Sequence, residues 1–360
     1  MKPILVTGAT GKTGGAVARQ LLQRGIPVRA VVRSHDRRSA RLAEAGADVV
    51  VADLFDYERL RTAMAGTSRA YYVAPWHANM LQSAVAFAAA ARDAGLEAIV
   101  ELSQWLSSPS HPSVYTRQHW LANRMFSELP GIAHVTVNPG FFADNYLVLD
   151  ILRTAVHLGL YPVPFGRSRN APPSNEDIAR VAVAALLDPQ RHAGRSYRPT
   201  GPELLAGTDI AAILSRVFER RIRPVENFPE WMFLKAMTVA GYSKIERADT
   251  RWYYRERLCD TFELGSPNDD VLRVTGRNPE DFETTARRYA AHPALRRTPA
   301  NFASALWDFL RVGFTVSGDM DRYERSFPKP AMRQLAQESP IWQAEHLEQP
   351  QAPRALHIAV

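Results

Sequence analysis

Residues 3–15 read PILVTGATGKTGG, an apolar run that breaks into glycines at positions 8, 11 and 14. A strand followed by G-x-x-G-x-x-G and an apolar helix pattern is the signature of a dinucleotide-binding turn. Gly8 permits the tight turn, Gly11 lets a pyrophosphate approach the backbone, and Gly14 lets helix and strand pack closely. The helix N-terminus then faces the phosphates, with Thr10, Lys12 and Thr13 beside them. The Gly11-Lys12-Thr13 tripeptide is not a P-loop, because that motif needs glycine at position 6, where the sequence has Val6.

Outward from this turn, short apolar runs alternate with helical stretches. Strands are predicted at 3–8, 28–33, 48–54, 69–75, 97–103 and 133–139. Helices are predicted at 13–24, 37–46, 57–65, 78–94 and 114–128. The continuous Val/Ile runs suit strands buried on both faces. The fold class is therefore α/β, a doubly wound parallel-sheet Rossmann domain with a smaller, mostly helical C-terminal lobe. The domain spans 1–150, with 174–200 returning to it. The lobe spans 151–300, and 301–360 is an extension of unknown role. In the lobe, helices are expected at 174–189 capped by Ser174 with Asp177, at 207–221 capped by Thr208, and at 276–290 capped by Asn278. The Pro/Gln-rich stretch 340–360 reads as a loosely held tail.

The end of the second strand selects the cofactor. An NAD site would place an acid about 20 residues beyond the glycines. Here Arg33 stands there, followed by Ser34, Arg37 and Arg38. A guanidinium suits the 2′-phosphate of NADP(H). Asp53, with Leu54 beside it, is placed for the adenine amine or for capping the next helix. Ala74, Pro75 and Ser103 end the fourth and fifth strands and border the nicotinamide crevice. Trp76 follows as a pocket wall or a plain surface aromatic.

The 360 residues carry a net charge of +7, with 44 Lys and Arg and one cysteine, Cys259. The arginines are scattered rather than clustered, which argues against nucleic acid as a partner. One cysteine excludes a disulfide framework. No His/Asp/Glu cluster shows metal-ligand spacing, so no metal is expected. MKPILVTGATG enters a strand directly, and no apolar run reaches the about 18 residues of a membrane span. The expected location is cytoplasmic, without a membrane partner. A small-molecule substrate is the expected partner, and a homodimer or protein partner stays open.

TGATGKTGG, Arg33, VADL (51–54), QHWLANRMF (118–126) and NPGFFADNYL (138–147) together resemble the NmrA-like branch of the atypical short-chain dehydrogenases. Within it, the chain is most similar to the quinone-oxidoreductase-like and triphenylmethane-reductase-like members, over roughly residues 1–240. The resemblance implies NADP(H) binding and either reduction of small electrophiles or a non-catalytic redox-sensing role exerted on a protein partner. Within NPGFFADNYL, Pro139 and Gly140 let the backbone pass the nicotinamide. Phe141, Phe142 and Tyr146 offer apolar walls, and Asn145 a polar anchor; core packing is the alternative for each aromatic.

Tyr115 and His119 stand where a classical short-chain dehydrogenase has Tyr-x-x-x-Lys. No lysine lies between Lys12 and Lys235, so the classical dyad is absent in any register. His119 lies one helical turn after Tyr115, on the same face. The resemblance implies that a His belongs at this position, where it orients the nicotinamide ribose and relays a proton. Alternatively it packs against Trp120 and Phe126. Its titration is expected near neutral pH. The family's Glu four residues later is Asn123 here. Tyr115 follows the run SSPSHPS (107–113), read as a flexible loop that leaves the phenol either a proton donor or in solvent. Hydride transfer is cofactor chemistry. Quinones and cationic dyes therefore need no strong general acid, whereas an unactivated ketone benefits from one.

Overall fold

Apolar runs buried on both faces explain the centre of the sheet. In the computed structural model, which describes residues 2–162, 168–225 and 228–347, the strands are β1 (Ile4–Val6), β2 (Val28–Val32), β3 (Asp48–Val51), β4 (Arg69–Val73), β5 (Ala98–Leu102), β6 (Ala133–Val137), β7 (Leu160–Tyr161), β8 (Ser196–Tyr197) and β9 (Arg223–Pro224). The main sheet is parallel, in the order β3-β2-β1-β4-β5-β6-β8, and β7 pairs with β9 apart from it. The strand order reverses between β1 and β4, and that is where an open α/β sheet forms its crevice.

Successive side chains leave opposite faces of a strand. Ile4, Val6, Val28, Ala30, Val100 and Leu102 pack with Val17 and Leu21 of the helix Lys12–Leu22 and with Ile178 and Ala182 of the helix Asn175–Leu187. Leu5, Val31, Ala70, Tyr72 and Ile99 point the other way, onto Leu60, Phe87 and Phe126. These three belong to the helices Tyr57–Met64, Met80–Asp93 and Val114–Ser127. The Tyr72 and Phe87 ring centroids lie 4.7 Å apart, and the Tyr72 hydroxyl meets Ser83 Oγ at 3.0 Å. Burying a side chain such as Phe87 stabilises by about 1.5–3 kcal/mol.

Helix ends in the lobe differ from the sequence reading. Ser174 Oγ does accept from Asp177 N at 3.0 Å. The second predicted lobe helix, however, is Gly207–Val217, and it begins where the Asp209 carboxylate accepts from Ala206 N at 2.8 Å. Thr208 therefore is not its cap. The helix Phe282–Ala290 is capped by Asp281, which accepts from Thr284 N at 2.6 Å, and not by Asn278. Asp177 takes the Glu280 N–H at 2.8 Å and holds that segment out of the helix.

The lobe core joins Phe141, Tyr146, Leu152, Ile210, Leu214, Phe262 and Phe282. The helix Lys244–Leu258, capped by Ser243 and Glu246, runs from this lobe back to the sheet. The expected loose tail is partly ordered. The helix Pro340–His346 buries Trp342 fully, and Trp342 Nε1 donates to Trp105 O at 2.6 Å. Residues 348–360 of that stretch lie outside the described residues. The helix Glu230–Val239 also belongs to the lobe. Among the described residues, no helix is long and apolar enough to cross a membrane.

Candidate functional site

A cleft of about 1420 Å³ opens over the carboxyl ends of β1, β2, β4 and β5 and continues under the C-terminal lobe. Its floor is the glycine turn. Gly8 has φ +58°, a conformation that favours glycine. A Cβ on Gly14 would come within 2.7 Å of Thr7 O, so only glycine lets the helix sit this close to β1. Gly8, Thr10, Gly11, Lys12 and Thr13 line the cleft. Gly14 does not; it packs beneath, between helix and strand. Lys12 Nζ crosses the cleft to donate to Asp144 O at 3.3 Å.

Asn175 belongs to this floor and has no sequence signal beyond its place after a helix cap. It is buried and lines the cleft, and neither amide atom has a hydrogen-bond partner among the described residues. Such an orphan is costly unless a ligand completes it.

Arg33 and Asp53 mark the other end. Arg33 is exposed at the rim, and its guanidinium bonds to none of the described residues. Arg38 is engaged: Asp36 holds it at 2.7 Å while accepting from Arg38 N and Ser39 N as the helix cap. Asp53 and Leu54 also line the cleft. Asp53 accepts from Phe55 N at 3.0 Å, and the following helix is capped by Asp56 instead.

Ala74, Pro75, Trp76, Ser103, Tyr115 and His119 converge in the middle. The Ser-Pro run before Tyr115 is not a flexible loop, and the phenol is not in solvent. Ser107, Ser108, His111 and Ser113 are buried there. His111 Nε2 meets Glu256 Oε1 at 3.1 Å, and Arg117 donates to His111 O at 2.6 Å. Tyr115 is 3% exposed, donates to Pro75 O at 3.2 Å and stacks on Trp76 with centroids 4.4 Å apart. Burial pushes its phenol well above the usual range. The His119 ring stands edge-on to Tyr115 at 4.9 Å, and its Nδ1 is buried without a partner among the described residues. Burial pushes its pKa down to about 3, so the near-neutral titration expected of it does not occur. His119 is a neutral imidazole at physiological pH. Asn123 stands behind it, contacting Ser103 Oγ at 2.8 Å.

The far end is walled by Phe141, Phe142, Asn145 and Tyr146, all lining the cleft. Pro139 does not line it; its carbonyl accepts from Trp105 N at 3.2 Å. Tyr146 is also a core residue, with its hydroxyl bonded by Arg257. Residues unmarked in the sequence complete the wall: Gln104, Asp249 and Tyr253, and beyond them Phe309 and Ala305 of the helix Pro299–Phe314. That helix is tied across the mouth by Arg153, which pairs with Asp308 at 2.7 Å. No group of His, Cys, Asp or Glu among the described residues forms a metal site.

The NmrA-like family model matches residues 1–248. The chain belongs to the NmrA-like family. An NAD(P)H azoreductase from Xenophilus azovorans is 31% identical over 296 residues, covering 80% of this chain and 98% of that protein. Among solved NmrA-like folds, the Citrobacter sp. triphenylmethane reductase complexed with NADP(H) superposes with a TM-score of 0.68 at 22% identity, over 80% of this chain and 99% of that one. The NADPH-dependent quinone oxidoreductase of Escherichia coli, complexed with NADPH, gives 0.67 at 22%, over 79% and 99%.

Proposed function

We propose that this NmrA-like protein is an NADPH-dependent oxidoreductase that passes a hydride to a small, activated electrophile of the quinone or azo class. The observation that carries the reading is the single cleft, which joins a dinucleotide turn to an aromatic chamber. The residues present fit NADPH. Asn175 and His119 offer unpaired buried polar atoms, and Arg33 offers an unpaired cation. The azoreductase relative supports the reaction class.

In this reading the backbone of Gly8–Thr13, Lys12 and Asn175 hold the pyrophosphate at the helix N-terminus. Arg33 takes the 2′-phosphate, with Asp53 and Leu54 at the adenine. Ala74, Pro75 and Ser103 flank the nicotinamide, whose reduced ring supplies the hydride when bound. His119 orients the ribose as a neutral donor, and Tyr115 and Trp76 form a fixed wall that excludes water. Phe141, Phe142 and Tyr146 sandwich a flat acceptor, and Asn145 anchors it. We propose that it works on a small molecule in the cytoplasm.

The test is NADPH oxidation by the purified chain with quinones, azo compounds and cationic dyes. Acceptor-dependent turnover supports the reading. Tight NADPH binding with no turnover across the panel favours a second reading, a redox sensor acting through a protein partner. The observation behind that alternative is the exposed apolar face of Phe302, Trp307, Leu310 and Phe314 on one helix.

A further inference from the structure

The reduction needs a proton as well as a hydride, and the two residues in the classical positions are poor sources. Tyr115 donates to Pro75 O in a buried wall, and His119 is neutral. A third acid stands in the same cleft. Asp249, on the helix Lys244–Leu258, is 1% exposed and lines the chamber beside Gln104 and Tyr253. Its carboxyl is anchored to the elements that carry the reaction-end residues. Oδ1 meets Ser113 Oγ at 2.5 Å and Thr116 Oγ1 at 2.8 Å, and Oδ2 meets Gln104 Nε2 at 3.3 Å. Gln104 adjoins Ser103, and Thr116 adjoins Tyr115.

Asp249 accepts in all three contacts, and the Thr116 hydroxyl, with one proton, stands 2.9 Å from Gln104 Oε1 as well as 2.8 Å from Asp249 Oδ1. A proton on the carboxyl gives both Thr116 contacts a hydrogen, with Thr116 donating to Gln104 and the carboxyl donating to Thr116. If the Gln104 amide is turned over, its oxygen faces Asp249 Oδ2 instead, and two acceptors meet unless the carboxyl is protonated. Among the described residues no lysine or arginine bonds Asp249. The charged or titratable groups around it are His111, which is bonded to Glu256, and Glu246, Tyr115 and Tyr253. Burial in this setting raises the carboxyl above the usual range.

We propose that Asp249 is the proton donor of the reduction, a role that rests on the reductase reading above. One atom of the acceptor takes the hydride, and its conjugated partner atom takes the proton from the Asp249 carboxyl. An azo N=N becomes HN–NH, or a quinone becomes the hydroquinone, while NADPH becomes NADP⁺. Asp249 is left as a carboxylate and regains its proton from solvent through the cleft.

The test compares the wild type with Asp249→Asn, which keeps the shape and one donor. A neutral azo acceptor requires the proton, whereas a cationic triarylmethane dye requires the hydride alone. The variant should lose about 10²-fold or more in turnover on the azo acceptor. Its loss on the dye should be at least about tenfold smaller. Infrared difference spectra of wild type against variant near neutral pH should show the carbonyl stretch of a protonated carboxylic acid. NADPH titration and thermal melting check that site and fold persist. Equal losses on both acceptor classes, or a carboxylate band alone, would overturn the assignment while leaving the reductase reading intact. A wild type idle on every acceptor ends the reductase reading, and the proton-donor role with it, whatever the infrared band shows.

Discussion

Asp36 holds Arg38 at 2.7 Å and caps the same helix, whereas the Arg33 guanidinium at the cleft rim bonds to none of the described residues. The two arginines therefore differ in what they can offer a phosphate. Arg33→Asp should weaken NADPH binding by about 10–100-fold and NADH binding far less, since a charged hydrogen bond contributes about 1.5–3 kcal/mol. Arg38→Ala should change both by less than about threefold. Fluorescence titration of the two nucleotides checks this, and equal losses at Arg33 would remove the 2′-phosphate argument.

Asn175 gives the opposite pairing of fold and function. Its side-chain amide is buried and unpaired, so Asn175→Ala removes an unmet polar group from the empty protein. Melting temperature should stay level or rise, while NADPH affinity falls by about tenfold. A destabilised variant with unchanged affinity would make Asn175 a packing residue.

The acid limb of stability follows from buried imidazoles. His119 is held down to about 3 and His346 to about 4, both by burial. Unfolded, each takes a proton near pH 6.5. As pH falls below that value the unfolded state binds protons that the native state refuses, so stability drops. Buried Glu101 and Asp249 are shifted upward and oppose this trend, so the comparison must be made at one residue. Between pH 7 and pH 5 the wild type should lose about 2 kcal/mol relative to His119→Gln. Urea melts at the two pH values measure the gap; a constant gap would mean that the imidazole protonates without penalty.

Trp342 fastens the C-terminal helix behind the site. Trp342→Ala removes a fully buried ring and the bond to Trp105 O, and should cost about 3–5 kcal/mol. Because Trp105 adjoins Gln104, turnover should fall along with stability. Denaturant midpoints and steady-state rates together decide this, and a loss of stability with unchanged turnover would confine the strap to the fold.

The dinucleotide half was legible because its chemistry is local. Gly8, Gly11 and Gly14 are dictated by backbone approach within seven residues, and the strands announce themselves through Val and Ile runs buried on both faces. The rest depended on chain that returns from afar. Ser and Pro before Tyr115 read as loop, yet Glu256 and Arg117 fix that segment. Asn175 looks like an ordinary first residue of a helix. Asp249 sits in a helix rich in charge, and only packing shows which carboxylate turns inward. His119 carries no sign in sequence that burial will hold it neutral.

The family match ends at residue 248, and Asp249 is the next residue in the chain. The glycine turn and the walls at Trp76, Phe141, Phe142 and Tyr146 fall within the matched stretch, while Asp249, Tyr253, Ala305 and Phe309 lie C-terminal to it. Inhibitors built against Trp76 and Phe309 would span both stretches of chain, where a nucleotide mimic would touch only the first.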